Sequence, residues 1–267
     1  MLDPFRYSVV AFTLIAVFNS GTNVSLADDK GHLKPVNTAV KGPMLGTDAR
    51  INSLLIDAWN AVGKNKIRLA LDLSETILRS APNNGQALLF KGFCLYKLDR
   101  PERSIDCIRR ALEILPDSGR NVYITPNESL DFSYYTLAAA LTQANRQDEA
   151  VKVLDKAMAL FGDRAFLYAE RGHIYLLMDR PDKALADYNS EIKLGEIDGT
   201  INRGKLFLHL KKPEQAVLDF NTAIAKQPSN SRLYAMRADA YKMLGKLDLA
   251  KRDYEKSNSL GLERLME

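Results

Sequence analysis

Residues 168–195 read YAERGHIYLLMDRPDKALADYNSEIKLG, and residues 234–261 read YAMRADAYKMLGKLDLAKRDYEKSNSLG. The two stretches share aromatic, arginine, small and aspartate residues at the same spacing, and a related stretch lies between them at residues 200–228. Apolar residues recur three and four positions apart, which is typical of amphipathic helices. Repetition at this period predicts helix pairs that bury their apolar faces only by stacking on neighbouring pairs.

Six copies of the pattern can be aligned on a small residue in the second helix. That residue is Ala70, Ser104, Ala150, Ala184, Ala216 and Ala250. The copies then begin at residues 51, 85, 131, 165, 197 and 231. A second small residue in the first helix is Ala58, Gly92, Ala138, Gly172, Gly204 and Ala238. Small residues on both helices predict a close approach within each pair.

Larger residues recur at fixed places around these small ones. The second helix carries an aromatic residue at Tyr188, Phe220 and Tyr254. Pro101, Pro181 and Pro213 precede an acidic residue at the turn within a pair. Proline is favoured at the first position of a helix, and an acid there suits the helix dipole, so these residues predict the start of the second helix.

This period and this set of positions resemble the tetratricopeptide repeat family over about four-fifths of the chain. The resemblance implies an all-α fold, a right-handed α-solenoid of about six stacked helix pairs over residues 51–261. It also implies that the first helices line a groove that binds proteins or peptides.

Arginine precedes the first-helix small residue in the last three copies, and aspartate precedes the aromatic residue of the second helix. The arginines are Arg171, Arg203 and Arg237, and the aspartates are Asp187, Asp219 and Asp253. Their constant spacing indicates Arg–Asp pairs that form a charged ladder, with a structural role favoured over a functional one.

Residues 1–27 resemble a secretory signal peptide, with Arg6 before an apolar run from Tyr7 to Phe18. Small residues at Ser25 and Ala27 predict cleavage between Ala27 and Asp28. The apolar run is shorter than the roughly 20 residues that a membrane span needs. We therefore expect an exported protein, periplasmic or secreted if the source is bacterial. An uncleaved membrane anchor and a cytosolic protein are the alternatives.

Three other segments lie outside the repeat pattern. Residues 28–50 are predicted to be a flexible linker because they are rich in glycine and proline and lack periodicity. Residues 117–130 are predicted to be a loop insertion between the second and third copies, with Tyr123 and Ile124 as candidate contacts. Residues 262–267 form a short C-terminal tail.

The composition argues against several function classes. The net charge is only +4 in 267 residues, and no basic run is interleaved with aromatic residues, so nucleic-acid binding is not predicted. No glycine-rich phosphate loop, nucleophile elbow or metal-ligand spacing occurs, so we expect no cofactor, no metal and no enzymatic activity. The spacing of Cys94 and Cys107 does not decide between a disulfide and two free thiols.

The first helices supply the candidate binding residues. By the resemblance, groove-facing positions hold Trp59, Phe93, Tyr96, Phe132, Tyr135, Phe166 and His173. Aromatic side chains are enriched at interface hot spots. The sequence therefore predicts an exported scaffold or adaptor whose groove binds a protein or peptide of unknown identity. The alternative is a structural subunit of a cell-envelope assembly that self-associates through its repeats. A membrane-proximal location and a homo-oligomer both stay open.

Overall fold

The computed structural model describes residues 26–27, 33–34, 49–115 and 130–266, with side chains for residues 49–115 and 130–261. Strands β1 (Leu26–Ala27) and β2 (Leu33–Lys34) pair antiparallel, with Leu26 opposite Lys34. The helices are α1 (Ala49–Gly63), α2 (Ile67–Ser80), α3 (Gly85–Lys97), α4 (Pro101–Ile114), α5 (Leu130–Gln143), α6 (Gln147–Phe161), α7 (Ala165–Leu177), α8 (Pro181–Lys193), α9 (Ile197–His209), α10 (Pro213–Lys226), α11 (Ser231–Met243) and α12 (Leu247–Met266).

These twelve helices of the described residues form stacked antiparallel pairs, which confirms the predicted all-α solenoid class. They belong to two compact units, Met1–Ala144 with α1–α5 and Asn145–Glu267 with α6–α12. Most of the predicted signal peptide and loop insertion, with Asp28, Tyr123 and Ile124, lies outside the described residues. Strand β2 and the first two residues of α1 fall within the segment predicted as a linker, and α12 continues into the predicted tail.

The turns inside the pairs share one backbone geometry. Each contains a residue with positive φ between 54° and 69°: Asn65, Asp99, Asn145, Asp179, Lys211 and Gly245. In five of these turns the next N–H donates to a carbonyl five residues earlier, as in Arg180 N to Tyr175 O at 2.8 Å. This hydrogen bond closes a helix end with a left-handed residue, a conformation that Gly, Asn and Asp adopt at low cost. Lys211 adopts it without that advantage.

Close packing within a pair depends on the small residues of the first helix. A Cβ atom added at Gly172 would lie 2.7 Å from the Tyr188 ring, and one added at Gly204 would lie 2.8 Å from the Phe220 ring. Separations under 3 Å require a neighbour to move, and these aromatic rings are buried. The predicted close approach within a pair is therefore confirmed in these two pairs, and the structure shows that the small residue meets the aromatic ring sixteen positions later.

Each unit has its own apolar clusters. In the first unit Leu55, Ile77, Ala87 and Phe90 form one buried cluster. In the second unit the clusters join successive pairs, as when Phe220 of α10 packs with Ala240 of α11. A repeat fold requires such contacts, because one helix pair alone cannot bury its apolar face.

The predicted Arg–Asp ladder is present in the second unit. Arg171 donates through Nε and Nη2 to both carboxylate oxygens of Asp187, at 2.9 and 2.7 Å. The same two-bond geometry joins Arg203 to Asp219 and Arg237 to Asp253. Nη1 of each arginine also donates to the second helix of the preceding pair, at Asp155, Asn189 and Asn221 respectively. Each arginine therefore connects its own pair to the pair before it.

Cys94 and Cys107 are both free thiols. Cys94 is buried with Ala61 and Ala70, and this burial raises the pKa of its thiol to about 12. Cys107 lies half-buried on α4, and burial raises the pKa of its thiol as well. The alternative of two free thiols is therefore the one found.

Candidate partner-binding surfaces

Three of the predicted aromatic residues form a connected cluster in the first unit. The ring centroids of Phe93 and Phe132 are 5.9 Å apart, and those of Phe132 and Tyr135 are 5.6 Å apart with nearly parallel planes. Helices α3 and α5 contact each other, which brings residues far apart in sequence to one place. We call Phe93, Tyr96, Lys97, Phe132 and Tyr135 the aromatic cluster.

Lys97 gives the aromatic cluster a positive charge. The ammonium group of Lys97 is 5.6 Å from the ring centre of Phe93 and 5.5 Å from that of Tyr96. Cation–π contacts of this length hold a lysine over aromatic faces. The cluster therefore combines apolar surface with a fixed positive charge.

The members of the aromatic cluster differ in their access to solvent. Phe93, Tyr96 and Phe132 are half-buried, whereas Tyr135 is only 5% exposed. Direct contact with a partner is therefore available mainly to the first three side chains. Tyr135 stacks on Phe132 and fixes the orientation of that ring.

Trp59 has a different environment from the aromatic cluster. Its ring meets the buried Phe90 edge-on, with centroids 6.4 Å apart, and it packs on the cluster that contains Leu55 and Ile77. Trp59 is half-buried. The structure thus places this predicted site residue where it also contributes to the packing of α1 against α3.

The two remaining predicted residues, Phe166 and His173, lie on α7 in the second unit, and both are half-buried. They are seven residues apart, so they share one helix face with Glu170. Glu170 is 7% exposed, and burial raises the pKa of its carboxyl group to about 7. Burial and the charge of Lys205 lower the pKa of His173.

Several polar groups with shifted pKa values lie on α9 and on the neighbouring helix α8. Glu191 of α8 accepts a hydrogen bond from Asn202 at 3.3 Å, and burial raises the pKa of this carboxyl group to about 7. Burial also raises the pKa of Asp198 and lowers the pKa of Lys205. This surface of the second unit is polar and desolvated, in contrast to the aromatic cluster of the first.

Glu170 and Glu191 were not identified as site residues from the sequence. Acidic residues on amphipathic helices ordinarily face solvent, whereas these two are buried. For Glu170 a signal existed, because it stands four residues after Phe166 and three before His173. Helical spacing therefore places it on the same face as two candidate groove residues.

In the ranges 49–115 and 130–261, no group of three or more histidine, cysteine, aspartate or glutamate side chains has an arrangement that could hold a metal ion. Among the helices that the structure describes, none combines the length and the apolar character needed to cross a membrane.

The described helix pairs, with their partly open first-helix surfaces, form an α-solenoid. Residues 58–119 and residues 220–252 each match the tetratricopeptide repeat family. The chain therefore carries tetratricopeptide repeats in these two segments. A family of this kind typically supplies non-catalytic scaffolds for protein–protein interactions.

Among known proteins, tetratricopeptide repeat protein 16 of Mus musculus is 22% identical over 170 residues. The match covers 64% of this chain but only 22% of the mouse protein, so the chain spans about a fifth of that relative.

Solved structures resemble the fold at low identity. A tetratricopeptide repeat protein from Parabacteroides merdae has a TM-score of 0.60 at 18% identity, covering 79% of this chain and 80% of that one. The C-terminal part of a repeat protein from Cytophaga hutchinsonii has a TM-score of 0.61 at 15% identity, covering 77% and 78%. The Cut9–Hcn1 hetero-tetramer of the APC/C has a TM-score of 0.62 at 16% identity, covering 79% and 40%. These similarities show the fold alone.

Proposed function

We propose that this protein is an exported scaffold or adaptor that holds a protein or peptide partner against its first helices. The observation that carries the proposal is the aromatic cluster of the first unit. Phe93 and Phe132 meet at 5.9 Å, remain half-buried and lie beside the ammonium group of Lys97. Aromatic side chains on a rigid helical surface contribute much of the binding energy at protein interfaces.

The likeness to other repeat proteins supports the same proposal. One of the similar structures is itself a hetero-tetramer, Cut9–Hcn1. For this chain, the proposal is that the partner contacts Phe93, Tyr96 and Phe132 and that Tyr135 supports this surface from behind. Trp59 is a further half-buried candidate contact on α1. Phe166 and His173 are separate candidate contacts on the second unit.

A photoreactive residue in place of Phe93 is expected to crosslink a distinct protein in the native cell. Mass spectrometry of the adduct identifies the partner. Phe132→Ala should reduce the adduct about tenfold or more, because removal of an interface hot spot costs at least about 2 kcal/mol. Phe132 suits this test better than Tyr135, since Tyr135 is buried and its truncation would leave a cavity.

The matched control is the same photoreactive residue at Leu69, an exposed apolar position on the second helix α2. The proposal requires the partner adduct at position 93 and its absence at position 69. Equal crosslinking at both positions, or an adduct that survives Phe132→Ala, would contradict the proposed contact.

The second candidate is a structural subunit that binds copies of itself. A specific observation favours it: Leu218 and Leu247 in the second unit are 66% and 65% exposed, and Met243 is also exposed. Large exposed apolar side chains are typical of interaction surfaces. Crosslinks at Phe93 that join only copies of this chain would support this candidate in place of the adaptor.

Export is a further part of the proposal, supported by the basic, apolar and small-residue pattern of residues 1–27. The protein isolated from its native cell is expected to begin at Asp28, as checked by N-terminal sequencing. Ala27→Pro should block this processing and give a larger protein on the same gel. A wild-type protein that retains Met1 and residues 2–27 would rule out cleavage.

A further inference from the structure

Glu170 is the most unusual ionisable group of the second unit. The residue is only 7% exposed, and burial raises the pKa of its carboxyl group with no hydrogen bond or charged neighbour among the described residues contributing to the shift. Buried polar groups in proteins are nearly always hydrogen-bonded, and buried charges are paired. A largely buried carboxyl group without such a partner in its own chain is a candidate for a partner from another molecule.

The basic side chains of α7 and α9 do not contribute to the pKa of Glu170, which burial raises. Arg171, which follows Glu170 directly, donates to Asp187 and Asp155. Arg203 of α9 donates to Asp219. Burial lowers the pKa of Lys205 of α9, and the acids that act on its charge are Asp198 and Glu191.

The helix face around Glu170 fits a cation. Phe166 precedes it by four residues and His173 follows by three, so the three side chains form one stripe on α7. Phe166 and His173 are half-buried, which leaves the stripe partly open to solvent. An aromatic face next to a carboxylate favours an ammonium or guanidinium group through both cation–π and charge-assisted hydrogen bonding.

We propose that Glu170, flanked by Phe166 and His173, binds a lysine or arginine side chain of the partner. This inference rests on the proposed function, because it assigns the chemistry of the segment that the groove accepts. An acidic side chain at this place would meet an unpaired carboxylate, and an apolar side chain would leave that carboxylate buried and unpaired. A cationic side chain is the complement that removes the cost of burial.

The test uses the full chain, immobilised, and a positional-scanning library of decapeptides as the probe. The peptides are acetylated and amidated, so that no terminal charge replaces a side chain. We expect lysine and arginine to be enriched about tenfold over glutamine at one position, since a charge-assisted hydrogen bond is worth about one factor of ten in affinity. Enrichment of acidic residues, or no preference at any position, would overturn the inference.

Glu170→Gln keeps the size and shape of the side chain and removes its charge. This variant should retain peptide binding and the helical circular dichroism spectrum but lose the preference for cations. Glu214→Gln, at an exposed position of α10, is the matched control and should keep the preference. Persistence of the cation preference in Glu170→Gln would assign it to another group and overturn the inference.

The two proposals can fail separately. A partner crosslinked at Phe93, together with peptides that bind without a cation preference, would remove only the role of Glu170. Absence of binding by every peptide and absence of a crosslinked partner would remove both.

Discussion

Replacing Asp187 with alanine should lower the free energy of unfolding by about 2–3 kcal/mol. Asp187 is buried and receives two hydrogen bonds from Arg171, which spans α7 and α8. Removal of one partner leaves the other charge partly desolvated, and this loss is larger than the net contribution of the intact pair. Urea unfolding followed by helical circular dichroism measures the effect, because the single tryptophan, Trp59, reports on the other unit.

A second contact of Arg171 provides the control for Asp187→Ala. Asp155 also accepts a hydrogen bond from Arg171, but its side chain is 51% exposed. Asp155→Ala should therefore cost less than about 1 kcal/mol, as exposed ion pairs usually do. Equal losses for Asp155→Ala and Asp187→Ala would show that burial does not determine the strength of these contacts.

The contacts inside a helix pair could be predicted from the sequence because they follow fixed spacings. Gly172 and Tyr188 are sixteen residues apart, as are Arg171 and Asp187, and each spacing recurs in the next copy. The path from one helix through a short turn to the next sets this distance. The repeated Arg–Asp spacing therefore predicts that pair, and the structure confirms it. The contact between Gly172 and the Tyr188 ring follows the same spacing and comes from the structure.

Burial of individual groove residues could not be predicted in the same way. Tyr135 and Phe132 both occupy groove positions in the pattern, yet one is buried and the other is half-buried. Their exposure depends on the sizes of side chains on neighbouring helices, which the repeat pattern does not fix. Glu170 was missed for a related reason, since a charged residue on an amphipathic helix ordinarily faces solvent.

The unpaired state of Glu170 also explains why this residue is absent from the stabilising ladder that begins at the next position. Arg171 and Glu170 are neighbours in sequence but lie about 100° apart around α7. Arg171 donates to Asp187 of α8. Glu170 shares the stripe with Phe166 and His173, and its charge, after burial and Glu191, also helps to raise the pKa of Tyr188 on α8. One helix therefore uses adjacent positions for stability and for the proposed recognition of a cation.

The buried carboxyl groups of Glu170 and Glu191 predict a loss of stability as the pH rises. Burial raises the pKa of Glu170 from its ordinary value of 4.5 to about 7, and it does the same for Glu191. Between these two pH values the folded protein binds more protons than the unfolded chain. The contribution of each protonated carboxyl group is therefore fully present below about pH 4.5 and is lost as the pH rises through 7.

Glu170→Gln should remove the part of this dependence that Glu170 contributes and leave the part due to Glu191. The variant should be more stable than the parent at pH 8 by about 3 kcal/mol, while the two have similar stability near pH 5. Thermal unfolding at pH 5, 6, 7 and 8 measures the difference in stability. At pH 8 the melting temperature of Glu170→Gln should be several degrees above that of the parent. Glu255→Gln, at an exposed position inside α12, should follow the parent at every pH. A Glu170→Gln variant that loses stability at pH 8 would mean that the carboxylate is paired in the folded protein and unavailable to a cation from the partner. A gain at pH 8 would show that the carboxyl group of Glu170 destabilises the protein in the absence of a partner. Residues that serve binding often lower stability in this way.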